Sequence, residues 1–328
     1  MKKFSLYDSM REHGTLAESA KEVPDARFAL PATINWMRAL AIIIKDQKLD
    51  FGKSQSVYGS VTRRSIRPKE LNSVGEQLLF SLNQLAALKA LSAAPNKSDI
   101  ARVAIVTWYY GVYGSASAML AAADGSAAET HASTAKQWDH TFPSRNLAIP
   151  PFSDRISDIQ STTIDGELAP LKLRGTSSLT IRPSAITEAW GCVNEYLSGT
   201  TKWEQFNIQS RVKNTPEFRA LGVNNFRTKA ARIIRDKAFQ ARSISFLHQA
   251  SRYRGKANYR DAIYLAYGKN VPKIVDDLAD DLIKVSTAFS CMAAAYCSKR
   301  LGAPVWGDLL SDLDSKQALS LSASSVWS

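Results

Sequence analysis

The sequence predicts an all-α fold, a bundle of helices around a large core, and three observations predict it. Apolar residues recur at intervals of three and four along most of the chain, the period of a one-sided helix. Helix starts and stops fall where their chemistry belongs, with proline or a capping residue before an apolar run and a glycine or proline break after it. Apolar residues make up 45% of 328 and charged residues 22%, so the chain can bury a sizeable core without disulfides or metals.

The first helix opens at Pro31 and reads PATINWMRALAIIIKDQK. After the polar stretch SVTRRSIRPKE comes a second, ELNSVGEQLLFSLNQLAALKALSAA, which Pro95 and Asn96 end. Ser98 stands at the N-cap position ahead of DIARVAIVTWYYGVYGSASAMLAAA, a third helix so apolar all round that it belongs at the centre of the bundle. Asp124-Gly125-Ser126 stops it. Residues 141–183 are rich in proline, glycine and short alternating apolar pieces, which predicts a loop-rich insertion with room for a small hairpin. A short helix, SAITEAWGCVNEYL, follows and stops at Ser198-Gly199. Thr215-Pro216-Glu217 is a helix start, and further helices run through NFRTKAARIIRDKAFQARSISFLHQASRYRGKANY. One last long helix, VPKIVDDLADDLIKVSTAFSCMAAAYCSKRL, has acids early and Lys299-Arg300 late, in line with its dipole, and the low-charge tail is expected to fray.

The net charge is +12, and it is concentrated. From Arg211 to Arg260 there are thirteen Lys or Arg against two acids, Glu217 and Asp236, a net of +11. Such a face suits a polyanion, and its candidate RNA contacts are Arg227, Lys229, Arg232, Arg235, Arg252, Arg254, Lys256 and Arg260. An acidic protein partner would meet the same charge. Cys192, Cys291 and Cys297 have no metal spacing and leave an odd thiol, which fits a reducing cytoplasm. The longest early apolar patch, ALAIII, is too short for a bilayer, so no membrane is expected. His13, His131, His140 and His248 form no metal-ligand pair, and no cofactor is expected. Asp276-Asp277 and Asp280-Asp281 are explained by a helix N-terminus. Trp138, Trp190 and Trp203 are read as anchors of the middle segment, with base stacking as the alternative.

Two segments resemble the HEPN family (higher eukaryotes and prokaryotes nucleotide-binding), in the branch with a tyrosine pair and an Arg-x4-Tyr motif. TWYYGVYGSASAMLAAADGSAAETHAS resembles its tyrosine-pair helix through Tyr109-Tyr110, Tyr113, Ala116, Ala118-Met119-Leu120 and Thr130-His131. LHQASRYRGKANY resembles its later helix through Arg254, Ala257, Asn258 and Tyr259, with Asn258 where aspartate is commoner. The resemblance covers roughly 67–140 and 225–302. It divides the chain into a helical extension at 1–66, a bundle at 67–302 interrupted by an insertion at about 141–214, and a tail at 303–328. It implies an antiparallel four- or five-helix bundle, a homodimer, and work on RNA in bacterial defence or toxin–antitoxin systems, with an antitoxin or activator as a further partner.

Active members of that family are metal-independent ribonucleases with an Arg and a His four to six residues apart. Histidine titrates near neutrality and can move a proton, and arginine grips a phosphate as charge builds on it. Here Arg242 and His248 enclose five residues and meet that spacing, so they are the catalytic candidates. The alternative register, Arg254 with Tyr259, has the better context but a tyrosine whose ordinary pKa of roughly 10 suits it poorly for the task. Tyr109, Tyr110 and Tyr113 are read as core residues, His131 as a helix-start residue bonding within the domain, and His13 and His140 as surface residues. Three readings remain open: a ribonuclease, a non-catalytic nucleic-acid-binding subunit, and a scaffold for an acidic protein.

Overall fold

A computed structural model describes residues 3–5, 9, 30–127, 130–240, 242–260, 263–266 and 271–328. His13 lies outside them. The chain is 73% helical, with no β-strand among the described residues, so the all-α class holds. The helices are α1 (Leu30–Gln47), α2 (Phe51–Val57), α3 (Pro68–Ser92), α4 (Lys97–Asp124), α5 (His131–Thr141), α6 (Ser161–Lys172), α7 (Ile186–Lys213), α8 (Pro216–Arg219), α9 (Lys229–Phe239), α10 (Phe246–Gly255), α11 (Ile263–Ala266), α12 (Val271–Val275), α13 (Leu278–Leu301), α14 (Ala303–Lys316) and α15 (Ser324–Trp327). A π-turn, Lys256–Arg260, follows α10.

Helix α4 is central, as its all-round apolar character requires, and packs on α3, α13, α5 and α10. It is capped by Asn96, whose side chain accepts from the Ser98 amide (3.1 Å), so the cap falls two residues before the position expected for Ser98. Glycines let α3 and α4 approach closely: a Cβ at Gly114 would lie 2.9 Å from Phe80 Cδ1 and 3.1 Å from the Gln77 carbonyl. Gly125 ends α4 in the left-handed conformation (φ 81°).

The segments before and within the bundle share its core. Trp36 of α1 stacks on Tyr196 of α7 (4.3 Å between ring centres) and meets Trp108 of α4 and Tyr253 of α10 edge-on, at 6.2 and 5.6 Å. All four rings are fully buried. Apolar burial of this size, on the order of 2 kcal/mol or more per aromatic ring, fixes α1 and the first half of α7 as parts of the bundle. Helix α7 departs most from expectation. It runs through Ser198-Gly199 to Lys213, because Thr200 and Thr201 return their hydroxyls to the Tyr196 and Leu197 carbonyls and the helix is buried at that point. Its second half leaves the main core and joins another, with Ile156, Ile164, Leu168, Phe218 and Phe239, to make a small lobe from α6, α8 and α9. No hairpin forms there among the described residues; the sole pairing is an isolated antiparallel bridge, Ile156 with Ile244.

Two further expectations are corrected. The last long helix is broken before Leu278 into α12 and α13. The tail does not fray: α14 and α15 pack on α13, and Trp327 is fully buried with its Nε1 donating to Ser290 Oγ (2.9 Å).

Where α4 ends, cations cover its free carbonyls. Arg64 Nε donates to Ala122 O (3.2 Å) and Arg300 Nη2 to Ala123 O (3.0 Å). Glu70 ties this cluster together, accepting from Arg67 Nε (2.6 Å) and Arg64 Nη2 (2.7 Å). The Arg67 guanidinium, helped by Arg64, holds the Glu70 carboxyl below the usual glutamate range against the opposing effect of burial. A depressed carboxyl stabilises the fold above its unfolded value, and that contribution is lost as pH falls through the folded one. Glu70→Gln is therefore expected to lower the melting temperature at neutral pH and to flatten its acid decline, measured by thermal melts from about pH 3 to pH 7.

Candidate functional site

The strongest concentration of chemically capable side chains lies where α4, α5 and α10 meet. The sequence of α4 puts Tyr109, Tyr110 and Tyr113 side by side, one helical turn of one face. Helix α5 starts against that face. Thr130 caps it, its Oγ1 accepting from the Ser133 amide (3.1 Å), and His131 stands at its first position. The three tyrosine rings surround the imidazole edge-on, at 5.2, 5.7 and 4.7 Å between ring centres for Tyr109, Tyr110 and Tyr113.

Helix α10 brings the cation. Arg254 lies over the Tyr109 ring, 4.9 Å from its centre, and its Nη1 is 3.4 Å from His131 Nε2. A guanidinium can only donate, so this contact requires His131 Nε2 to carry the lone pair and Nδ1 the proton. Burial, and then Arg254, hold the imidazole below its ordinary value, so it is neutral near pH 7 with its basic nitrogen beside the arginine. His131 Nδ1 and Arg254 Nε have no hydrogen-bond partner among the described residues. Tyr109 is buried, hydrogen-bonds Ser251, and has its hydroxyl pushed up to about 12 by burial, so it stays protonated and serves as the floor under Arg254. Tyr110, Tyr113, His131 and Arg254 are only half-buried, so the group opens to solvent.

The Arg242/His248 register has a different setting. His248 lies in the first turn of α10, where its Nδ1 accepts from the Ser245 amide (3.2 Å) and meets Ser245 Oγ (3.1 Å). The ring closes a capping box. Beside it, buried Asp139 accepts both Arg155 Nε and Nη2 (3.0 and 2.9 Å) and the Ser243 hydroxyl (2.6 Å), which fastens α5 to the small lobe. Burial lowers the His248 pKa, with Arg155 and Arg242 acting the same way against the Asp139 carboxylate. Arg242 is exposed and precedes α10, so the Arg-to-His interval is not a helical one.

The basic residues divide by burial. Arg227, Lys229, Arg232 and Lys237 are exposed on or just before α9, and Arg219 is exposed at the end of α8. Arg235 is half-buried, paired with Asp236 (2.7 Å) and flanking Phe226 and Phe239. Arg252 is a correction: it is 7% exposed, donates to Thr200 Oγ1 (3.1 Å) and stacks over Trp203 (5.0 Å), so it holds α10 to α7 rather than facing a ligand. Lys256 is half-buried, and the side chains of Tyr259 and Arg260 lie outside those described. His140 is exposed as expected. Trp138 is fully buried and Trp190 lies under Arg174 (3.9 Å), both anchoring the middle segment. Asp281 is buried against Arg38 (2.9 Å), a structural ion pair beyond the simple helix-end role.

His131 stands at the start of α5 and bonds within the domain, as the sequence reading has it, but its meeting with Arg254 was not read there. The signal that could have found it is the tyrosine triplet: three rings on one turn of a central helix need a partner, and Thr130-His131 begins the next helix. Among the described residues no three His, Cys, Asp or Glu converge as a metal site, and no helix is long and apolar enough to cross a membrane. No family model, curated protein or solved structure matches the chain.

Proposed function

We propose that this protein is a metal-independent ribonuclease whose site is Arg254 and His131, fed by the exposed cations of the small lobe. The observation that carries the reading is the 3.4 Å approach of Arg254 Nη1 to the Nε2 lone pair of a neutral His131, a basic nitrogen and a phosphate-binding cation side by side among half-buried residues. When a phosphate draws the Arg254 guanidinium to itself, the Nε2 lone pair that it engages here is freed; His131 Nε2 then takes the proton from a ribose 2′-hydroxyl, and that oxygen attacks the adjacent phosphorus. Arg254 binds the non-bridging oxygens as their charge grows. The bond to the 5′-oxygen breaks, the imidazolium returns its proton to that oxygen, and a 2′,3′-cyclic phosphate remains. The resemblance to the HEPN family supports a ribonuclease class and not this pair, since the family's histidine follows its arginine within a few residues and the branch with a tyrosine there is held to bind rather than cut; homodimers acting in bacterial defence or toxin–antitoxin systems are the proposed setting. Exposed Arg219, Arg227, Lys229, Arg232 and Lys237 supply the long-range attraction for a polyanion.

The test is incubation of purified protein with labelled total RNA and tRNA in EDTA, beside His131→Ala and His248→Ala. Cleavage lost in His131→Ala and kept in His248→Ala is the expected result. The reverse pattern would move the chemistry to Arg242/His248. Intact RNA in every lane with a persistent gel shift would make the protein a non-catalytic binding subunit, and neither cleavage nor shift would favour an acidic protein partner.

A further inference from the structure

The ring contacts at His131 continue outward. Tyr110 meets His131 on one side and Phe80 of α3 on the other, the latter edge-on at 6.4 Å between ring centres. Phe80 is 36% exposed, among the few large apolar side chains that reach the surface, and it is not loosely placed. Gly114 of α4 lies directly beneath it, and any side chain there would come within 2.9 Å of its ring. The close helix pair therefore seats an aromatic ring at the rim of a site whose inner end is a guanidinium and an imidazole.

We propose that Phe80 and Tyr110 form a stacking platform that holds an unpaired base next to the scissile phosphate. This inference rests on the ribonuclease reading of Arg254 and His131. In a duplex, bases are stacked on one another and offer no free face; an exposed aromatic rim rewards only a base that is already splayed out. Every base has such a face, so the platform selects strandedness and not sequence. Arg254 fixes the backbone and the rings fix the base, and together they determine which phosphate sits by His131 Nε2.

The experiment uses a fluorescein-labelled 12-residue RNA with every 2′-hydroxyl methylated, which cannot be cleaved by 2′-attack, as a single strand and as a duplex with its complement. Anisotropy titrations of the wild-type chain, Phe80→Ala and Phe80→Trp are run at one salt concentration. The expected result is tighter binding of the single strand, loss of about 10-fold in single-strand affinity in Phe80→Ala, near-wild-type affinity in Phe80→Trp, and unchanged duplex binding. Unchanged duplex affinity also shows that Phe80→Ala is folded. Equal affinity for the two forms, or a Phe80→Ala effect under two-fold, overturns the platform. Cleavage needs natural RNA and is read separately. His131-dependent cleavage indifferent to Phe80 and to strandedness would sink the platform and leave the Arg254–His131 site standing. Phe80-dependent single-strand binding with no His131-dependent cleavage would do the opposite.

Discussion

Arg254→Ala is expected to reduce RNA cleavage by about 10²–10³-fold in kcat/KM, the usual consequence of removing one preorganised donor to a developing oxyanion. The loss should appear chiefly in kcat, because the exposed cations of the small lobe continue to hold the polyanion. Arg254→Lys should recover only part of it, since a point charge lacks the planar, two-pronged grip and stacks less well over Tyr109. The pH profile separates this role from general scaffolding. His131 must be unprotonated to accept a proton, and burial and Arg254 both keep its value below the ordinary one. The rate is therefore expected to rise with pH through that lowered value and to be flat above it. In Arg254→Gln the cationic neighbour is gone, so the acid limb should move up toward the ordinary imidazole value while burial still holds part of the shift. A variant whose acid limb stays in place and whose rate falls less than two-fold would remove Arg254 from the chemistry.

Trp36→Ala is expected to cost about 3–5 kcal/mol of unfolding free energy, the range for truncating a large buried aromatic side chain. The ring is fully buried and contacts Tyr196, Trp108, Phe246 and Tyr253, which come from three other helices. Those partners cannot all collapse into the vacated space, because each is fixed by its own helix. Chemical denaturation followed by far-ultraviolet circular dichroism measures it. A cost below about 1 kcal/mol would mean that α1 is only laid against the bundle and not built into it. The same experiment tests whether residues 30–66 act as an appendage, since only a shared core makes one substitution in α1 felt by the whole fold.

Local signals were legible in proportion to how local their causes are. The period of α3, α4 and α13, the Thr215 cap and the Gly125 stop depend on neighbouring residues, and each is found in the structure. Ser198-Gly199 read as a stop because glycine is a costly helix residue in water. Buried between other elements, with Thr200 and Thr201 bonding back to the helix, that segment stays helical to Lys213. Trp327 looked like the end of a fraying tail, and only the slot beside Ser290 makes it an anchor. Arg252 and Arg254, two residues apart in one basic run, differ for a similar reason: one turns into Thr200 and Trp203, the other out over Tyr109.

The helical class, the basic segment between Arg211 and Arg260, and the two segments that carry a tyrosine turn and an arginine can be read along the chain. Those follow from periodicity, capping and charge, which are properties of residues close in the chain. Tertiary structure alone decided which histidine meets which arginine. His131 and Arg254 are 123 positions apart, and they meet because α5 and α10 both pack against α4 at its tyrosine face. No local spacing encodes that meeting. The interval from Arg242 to His248 does satisfy a spacing, but Arg242 stands before α10 begins and His248 uses its Nδ1 to cap that helix, so the two are not set on one helical face. Burial of the tyrosine face brought the arginine and the histidine together, and the free energy of that packing has no counterpart in a linear pattern.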